Sequence, residues 1–190
     1  MKGAGNQLDG QQLFERQTQL EGEPSAPMII ADGLRTPENM GYVLRLAEAA
    51  GSKQVYFVSG DAAEVSEHTA KEYQKKIRKA ARHTEQRVTW DVCTRQDVLA
   101  RRVLKQEVWI ALEITDASRD IFATPLPENA VFVIGDERHG ISLELLDACQ
   151  QAVHIPMFGC NGSMNVTHAL AIALFEWRRQ MNDGSVKSPS

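Results

Sequence analysis

The chain has 190 residues, 43% of them hydrophobic and 24% charged, with 21 Lys/Arg against 25 Asp/Glu. That balance suits one folded domain and excludes a disordered polymer. No apolar run approaches the ~18 residues of a membrane span, the opening MKGAGNQLDGQQ lacks an apolar signal core, and three scattered cysteines (Cys93, Cys149, Cys160) exclude a disulfide framework or a CxxC zinc site, so a reduced, cytoplasmic protein is expected.

Residues 1–26 read as an N-terminal extension, rich in Gly, Gln and Glu and punctuated by Gly22, Pro24 and Ser25. Leu8, Leu13, Phe14 and Leu20 give it at most a weakly amphipathic helix. Apolar, β-rich runs then recur at 28–31, 54–59, 88–93, 108–114, 130–135 and 152–157, with helical patterns between and after them. Near-continuous runs such as VFVIG predict strands buried on both faces, hence a parallel sheet. The alternation predicts an α/β fold, a parallel sheet flanked by helices, over residues 27–180. Residues 181–190, MNDGSVKSPS, read as a flexible tail.

The helix in RTPENMGYVLRLAEAAG is the clearest. Thr36 is placed to cap it, Pro37 suits its first position, and Gly51 suits its end. Met40, Val43, Leu44 and Ala47 form the apolar stripe. Gly41, Arg45 and Glu48 share another face, where the glycine leaves room for a close approach. Further on, 71–87 carries seven Lys/Arg against Glu72 and Glu85 in an otherwise acidic chain. Such a run is either a solvated helix face or an electrostatic footprint for nucleic acid.

Three polar segments sit at predicted strand ends, where open α/β sheets place their sites. They are Asn39 with Arg45, the turn GDERHGIS (135–142), and IPMFGCNGSMNVTHALAIALFEWRRQ (155–180). The spacing Gly135-x4-Gly140 begins like a phosphate loop, but Ile141 stands where Lys is required, and no GxGxxG occurs. Nucleotide triphosphatase and dinucleotide dehydrogenase chemistry therefore lose their support. The five histidines have no ligand spacing, so no metal is expected. In the third segment Ser163 and Asn165 either cap the helix that follows or contribute polar groups to a site.

The three segments, ENMGYVLRLAEAAG, IGDERHGIS and IPM…SMNVTHA…FEWRRQ, together resemble the SpoU/TrmH family of RNA ribose 2′-O-methyltransferases within the SPOUT superfamily. The resemblance covers about 27–180, with all three motifs in the family's order. Met164 replaces the usual Leu and Thr167 the usual Ser, changes that keep apolar character and the hydroxyl. It implies a SPOUT-type domain with a deep C-terminal trefoil knot; hydrophobic periodicity alone implies an ordinary flavodoxin-like sheet. It also implies S-adenosyl-L-methionine as methyl donor, RNA as acceptor and a homodimer with its site near the subunit interface.

Carried over by residue, the resemblance places Leu112, Glu113, Gly135, Ile155 and Met164 around the cofactor, with Gly135 admitting close backbone approach. It places Arg45, Asn39, Glu137, Ser163 and Asn165 in catalysis. Family mechanisms give the residue at Arg45 a general-base role. A guanidinium offers five donors and no acceptor, so anchoring the phosphate beside the reacting hydroxyl suits it better. Arg35, Lys75, Lys76, Arg78, Lys79 and Arg82 become candidates for RNA contact. A short N-terminal segment favours transfer RNA over ribosomal RNA. A base-methylating SPOUT enzyme and a non-catalytic RNA-binding member are the alternatives.

Overall fold

The structure, a computed structural model, describes residues 26–59, 67–82, 84–102, 107–160 and 162–185, with Gln7, Asp9 and 11–13. Most of the expected N-terminal extension and the last five residues of the expected tail lie outside the described residues. Each apolar run forms a strand: β1 (Met28–Asp32), β2 (Gln54–Val58), β3 (Thr89–Cys93), β4 (Val108–Leu112), β6 (Ala130–Ile134) and β7 (Gln151–His154). A further strand, β5 (Arg119–Asp120), has only two residues, too few for a periodic signal. β7 stops before Pro156, which has no N–H to give a ladder.

The strands form one parallel sheet in the order β3-β2-β1-β6-β4-β7-β5. Alternate side chains along each strand serve two cores. Ile29, Phe57, Ile110, Phe132 and Val153 pack beneath α1 (Pro37–Ala50), α2 (Glu67–Ala81) and α5 (Val166–Ser185). On the other face Ile30, Tyr56, Trp109, Val131 and Val133 pack with α3 (Arg95–Arg102) and α4 (Leu143–Ala148). Burial on both faces explains why β1, β2, β4 and β6 lack a polar/apolar alternation, while the more exposed β3 shows one. Among the described residues no helix is long and apolar enough to cross a membrane.

Three local details differ from the sequence reading. Thr36 has extended backbone at the start of α1 but makes no side-chain capping bond, leaving Pro37 and the left-handed Gly51 (φ 82°) to bound the helix. The space beside Gly41 belongs to α2: a Cβ there would lie 2.4 Å from Ala80 Cβ and 2.8 Å from the Ile77 carbonyl oxygen. The last helix runs to Ser185, past the expected end at Gln180, with Met181 still packed on the core.

Strand order positions the site. Because β4 lies between β6 and β7, the exits of those three strands, at Leu112, Ile134 and His154, are neighbours at one sheet edge. Leu112 and Arg119 face Val153 from opposite sides, so segment 113–118 crosses the end of β7. Glu113 N–H donates to the Val153 carbonyl at 3.0 Å, and Ser118 Oγ lies 3.0 Å from His154 Nδ1, fastening that crossing.

Candidate active site

A cavity of about 540 Å³ opens where these strands end. Its walls come from the crossing segment (Leu112, Glu113), the turn after β6 (Gly135, Glu137, Arg138) and the segment after β7 (Ile155, Met157, Ser163, Met164). The five expected cofactor residues therefore meet in one place, although the chain separates Leu112 from Met164 widely.

Three carboxylates hold the turn after β6. Asp136 accepts the N–H groups of Arg138 (2.7 Å) and His139 (2.8 Å), and its other oxygen lies 3.0 Å from His139 Nδ1. Glu113 accepts Ile141 N–H at 3.3 Å and Ile114 N–H at 3.0 Å. Asp32, buried at the end of β1, accepts Ser142 N–H at 2.8 Å and Arg95 Nε–H at 3.2 Å. Burial pushes the Asp136 carboxyl up, but the His139 and Arg138 N–H groups and the His139 ring outweigh it and hold the carboxyl below its ordinary value.

Glycines let this turn close. A Cβ on Gly135 would lie 2.0 Å from the Gly140 carbonyl carbon, and one on Gly140 (φ 66°) 2.6 Å from Glu113 Oε2. The close approach at Gly135 is thus made by its own turn, where the sequence reading assigned it to the cofactor.

The fourth acidic group, Glu137, projects outward and accepts a hydrogen bond from Asn39 Nδ2 on α1. Asn39 is buried, and its link joins the first motif to the second across 98 residues. Ser163 lines the cavity. Asn165 does not: its Oδ1 accepts Thr167 N–H (2.8 Å) and Oγ–H (2.6 Å) at the start of α5, the capping role. Arg45 is half-buried on α1 and has no side-chain hydrogen bond or ion pair among the described residues; it is not in the cavity wall. Within one chain the structure therefore joins Asn39, Glu137 and Ser163 to the cavity and leaves Arg45 and Asn165 outside it.

The basic residues lie elsewhere. Lys75, Lys76, Arg78, Lys79 and Arg82 are exposed along α2 and its end, while Ile77 and Ala81 pack inward. Arg35 is exposed just before α1. Sequence reasoning passed over Arg138 and His154 in the cavity wall. The Arg138 position inside the turn was the available signal; His154 carried none beyond its place at a strand end.

The sequence pattern of the SpoU rRNA Methylase family matches residues 26–175. A 23S rRNA (guanosine-2′-O-)-methyltransferase, RlmB, of Photobacterium profundum is 30% identical over 163 residues, covering 86% of this chain and 63% of its own. The chain thus spans less than two thirds of the length of that relative. A crystal structure of an RNA 2′-O ribose methyltransferase is 27% identical, with a TM-score of 0.70 over 83% of this chain and 57% of the other. The fold also matches the SpoU methyltransferase AviRb of Streptomyces viridochromogenes in complex with AdoMet, at TM-score 0.71 and 24% identity, over 88% of this chain and 65% of that one. With the family pattern covering most of the chain and the parallel sheet of its solved relatives in place, this protein belongs to the SpoU rRNA Methylase family.

Proposed function

We propose that this protein transfers a methyl group from S-adenosyl-L-methionine to a ribose 2′-hydroxyl of RNA. The observation that carries the reading is the Asn39–Glu137 hydrogen bond, which fastens the first motif to the turn forming the cavity wall. A volume of about 540 Å³ suits a small-molecule cofactor. Loop backbone at Gly135 and Ile155 and apolar walls from Leu112 and Met164 suit an adenosine group. These residues and Glu113 would hold the cofactor, which when bound supplies an electrophilic methyl on a sulfonium.

The remaining work is positioning. Transfer to the ribose oxygen would release the donor as its neutral thioether, and the hydroxyl proton would pass to solvent water, since the Arg45 guanidinium offers no acceptor. Asn39, Glu137 and Ser163 orient the ribose and the turn. Arg45 anchors the neighbouring phosphate, because its guanidinium matches phosphate geometry and offers no acceptor for a proton. Asn165 acts by fixing the start of α5 beneath Met164 and Ser163. The knot expected from the resemblance fits the way segment 113–118 crosses the chain leaving β7.

Ribosomal RNA is the proposed substrate, in place of the transfer RNA expected from chain length. The length of a segment is not a recognition element, and the Photobacterium relative is named for 23S rRNA. A homodimer is the proposed active form: Tyr42 and Phe175 expose 44% and 51% of their surface on the packed pair α1 and α5. A cytoplasmic setting follows from an RNA substrate.

Methyl transfer from labelled S-adenosyl-L-methionine to unmodified ribosomal and transfer RNA, offered separately and digested to nucleosides, tests this. A 2′-O-methylnucleoside from the ribosomal pool is expected. Label confined to transfer RNA would reverse the substrate assignment, and a labelled base would reverse the reaction.

A further inference from the structure

Phe158 exposes 99% of its surface. It stands in the segment after β7, between Met157 and Gly162, which both line the cavity, yet its own ring is outside the wall. A Cβ on Gly159 or Gly162 would meet nothing within 4 Å, so there is open space beside both positions. A ring held wholly in water next to cavity-lining Met157 packs on no described residue of its own chain. Arg138 lines that same cavity, is exposed, and its guanidinium has no side-chain partner among the described residues. Asp136 holds the Arg138 backbone N–H, so the side chain is presented from a fixed turn.

A ring for stacking and a guanidinium for phosphate are the two elements that bind an unpaired nucleotide. A protein partner fits less well. One phenyl ring offers about 150–250 Å², against about 800 Å² per side in a stable protein interface. We propose that Phe158 and Arg138 form a nucleotide seat at the cavity mouth, Phe158 stacking on an unstacked RNA base and Arg138 holding a neighbouring phosphate. This rests on the RNA-methylation reading and adds to it the pair that presents the nucleotide. The seat selects single-stranded or looped RNA, because a base within a duplex cannot reach the ring.

Phe158→Trp keeps the stacking surface and reports on it. Its added emission is expected to be quenched by single-stranded oligoadenylate and not by an RNA duplex of equal length. Phe158→Ala is expected to bind oligoadenylate about 5- to 150-fold more weakly, with unchanged calorimetric affinity for S-adenosyl-L-methionine. In turnover the effect falls on KM for RNA. Arg138→Gln is expected to weaken binding and lower the salt slope by about 0.7. Wild-type affinity in Phe158→Ala, or unquenched Phe158→Trp emission with RNA shown bound by anisotropy, overturns the seat. Phe158-dependent RNA binding by a protein that transfers no methyl group would instead overturn the enzymatic reading and leave the seat standing.

Discussion

At the scale of single residues, the turn after β6 is a backbone problem solved by carboxylates and missing side chains. Gly135→Ala is expected to force the Gly140–Ile141 backbone away, since the new methyl would lie 2.0–2.3 Å from it. Overpacking of this kind costs about 1–3 kcal/mol. The cavity wall moves with the turn, so cofactor affinity measured by calorimetry should fall together with the urea midpoint. Asp136 gives the turn an acid sensitivity. Its folded pKa lies below the ordinary value, so the carboxylate stabilises the fold above about pH 4, and that stabilisation disappears as pH falls through the lowered folded value. The stability gap between wild type and Asp136→Asn should be constant near neutral pH and narrow in acid. A gap that widens in acid would show the carboxyl to be raised instead.

Elements carry the second kind of constraint. Gly41 sits where α1 and α2 touch, and a Cβ there would lie within 3 Å of the Ile77 carbonyl oxygen and the Ala81 nitrogen. Gly41→Ala should therefore destabilise the fold by about 1–3 kcal/mol, read from the denaturation midpoint, with little change in cofactor affinity, since Gly41 is outside the cavity wall. The exposed face of α2 makes the opposite prediction. Replacing Lys75, Lys76 and Lys79 by Gln should leave the fold intact, because all three are exposed and among residues 74–82 only Ile77 and Ala81 are buried. RNA affinity should fall, and the salt slope should drop by about 0.7–0.9 for each phosphate that the helix no longer neutralises. Unchanged slope in fluorescence titrations would return α2 to a solvated face.

Elements also show what a sequence can convey. Strands buried on both faces wrote themselves as apolar runs, and the stripe Met40, Val43, Leu44, Ala47 is the buried face of α1. Periodicity reports burial along a segment and nothing about which segment lies opposite. It could not assign the space at Gly41 to α2, or find β5, whose two residues are held by pairing with β7. The family resemblance named Asn39 and Glu137 separately, but not the hydrogen bond that joins them across 98 residues. Asn165 went the other way: its local capping pattern was readable, and capping is what its side chain does.

For the whole molecule, the geometry turns on Arg45. It lies on the helix that delivers Asn39 to Glu137, yet in a single chain it reaches neither the cavity wall nor any side-chain partner among the described residues. A two-fold dimer would supply the missing half, because an isologous interface brings the same surface of each copy to the other. Arg45 of one subunit would then serve the cavity of its partner. Arg45→Ala should abolish methyl transfer with the fold retained, and Met164→Arg should do the same by placing a charge in the cofactor wall. Unfolding and refolding the two variants together at equal amounts gives mixed dimers with one intact site each. About a quarter of wild-type activity should return, since half the dimers are mixed and each has one of two sites complete. If each chain builds its own site, both subunits of every mixed dimer are defective and no activity returns. The same experiment thus tests the dimer and the placement of Arg45 in it.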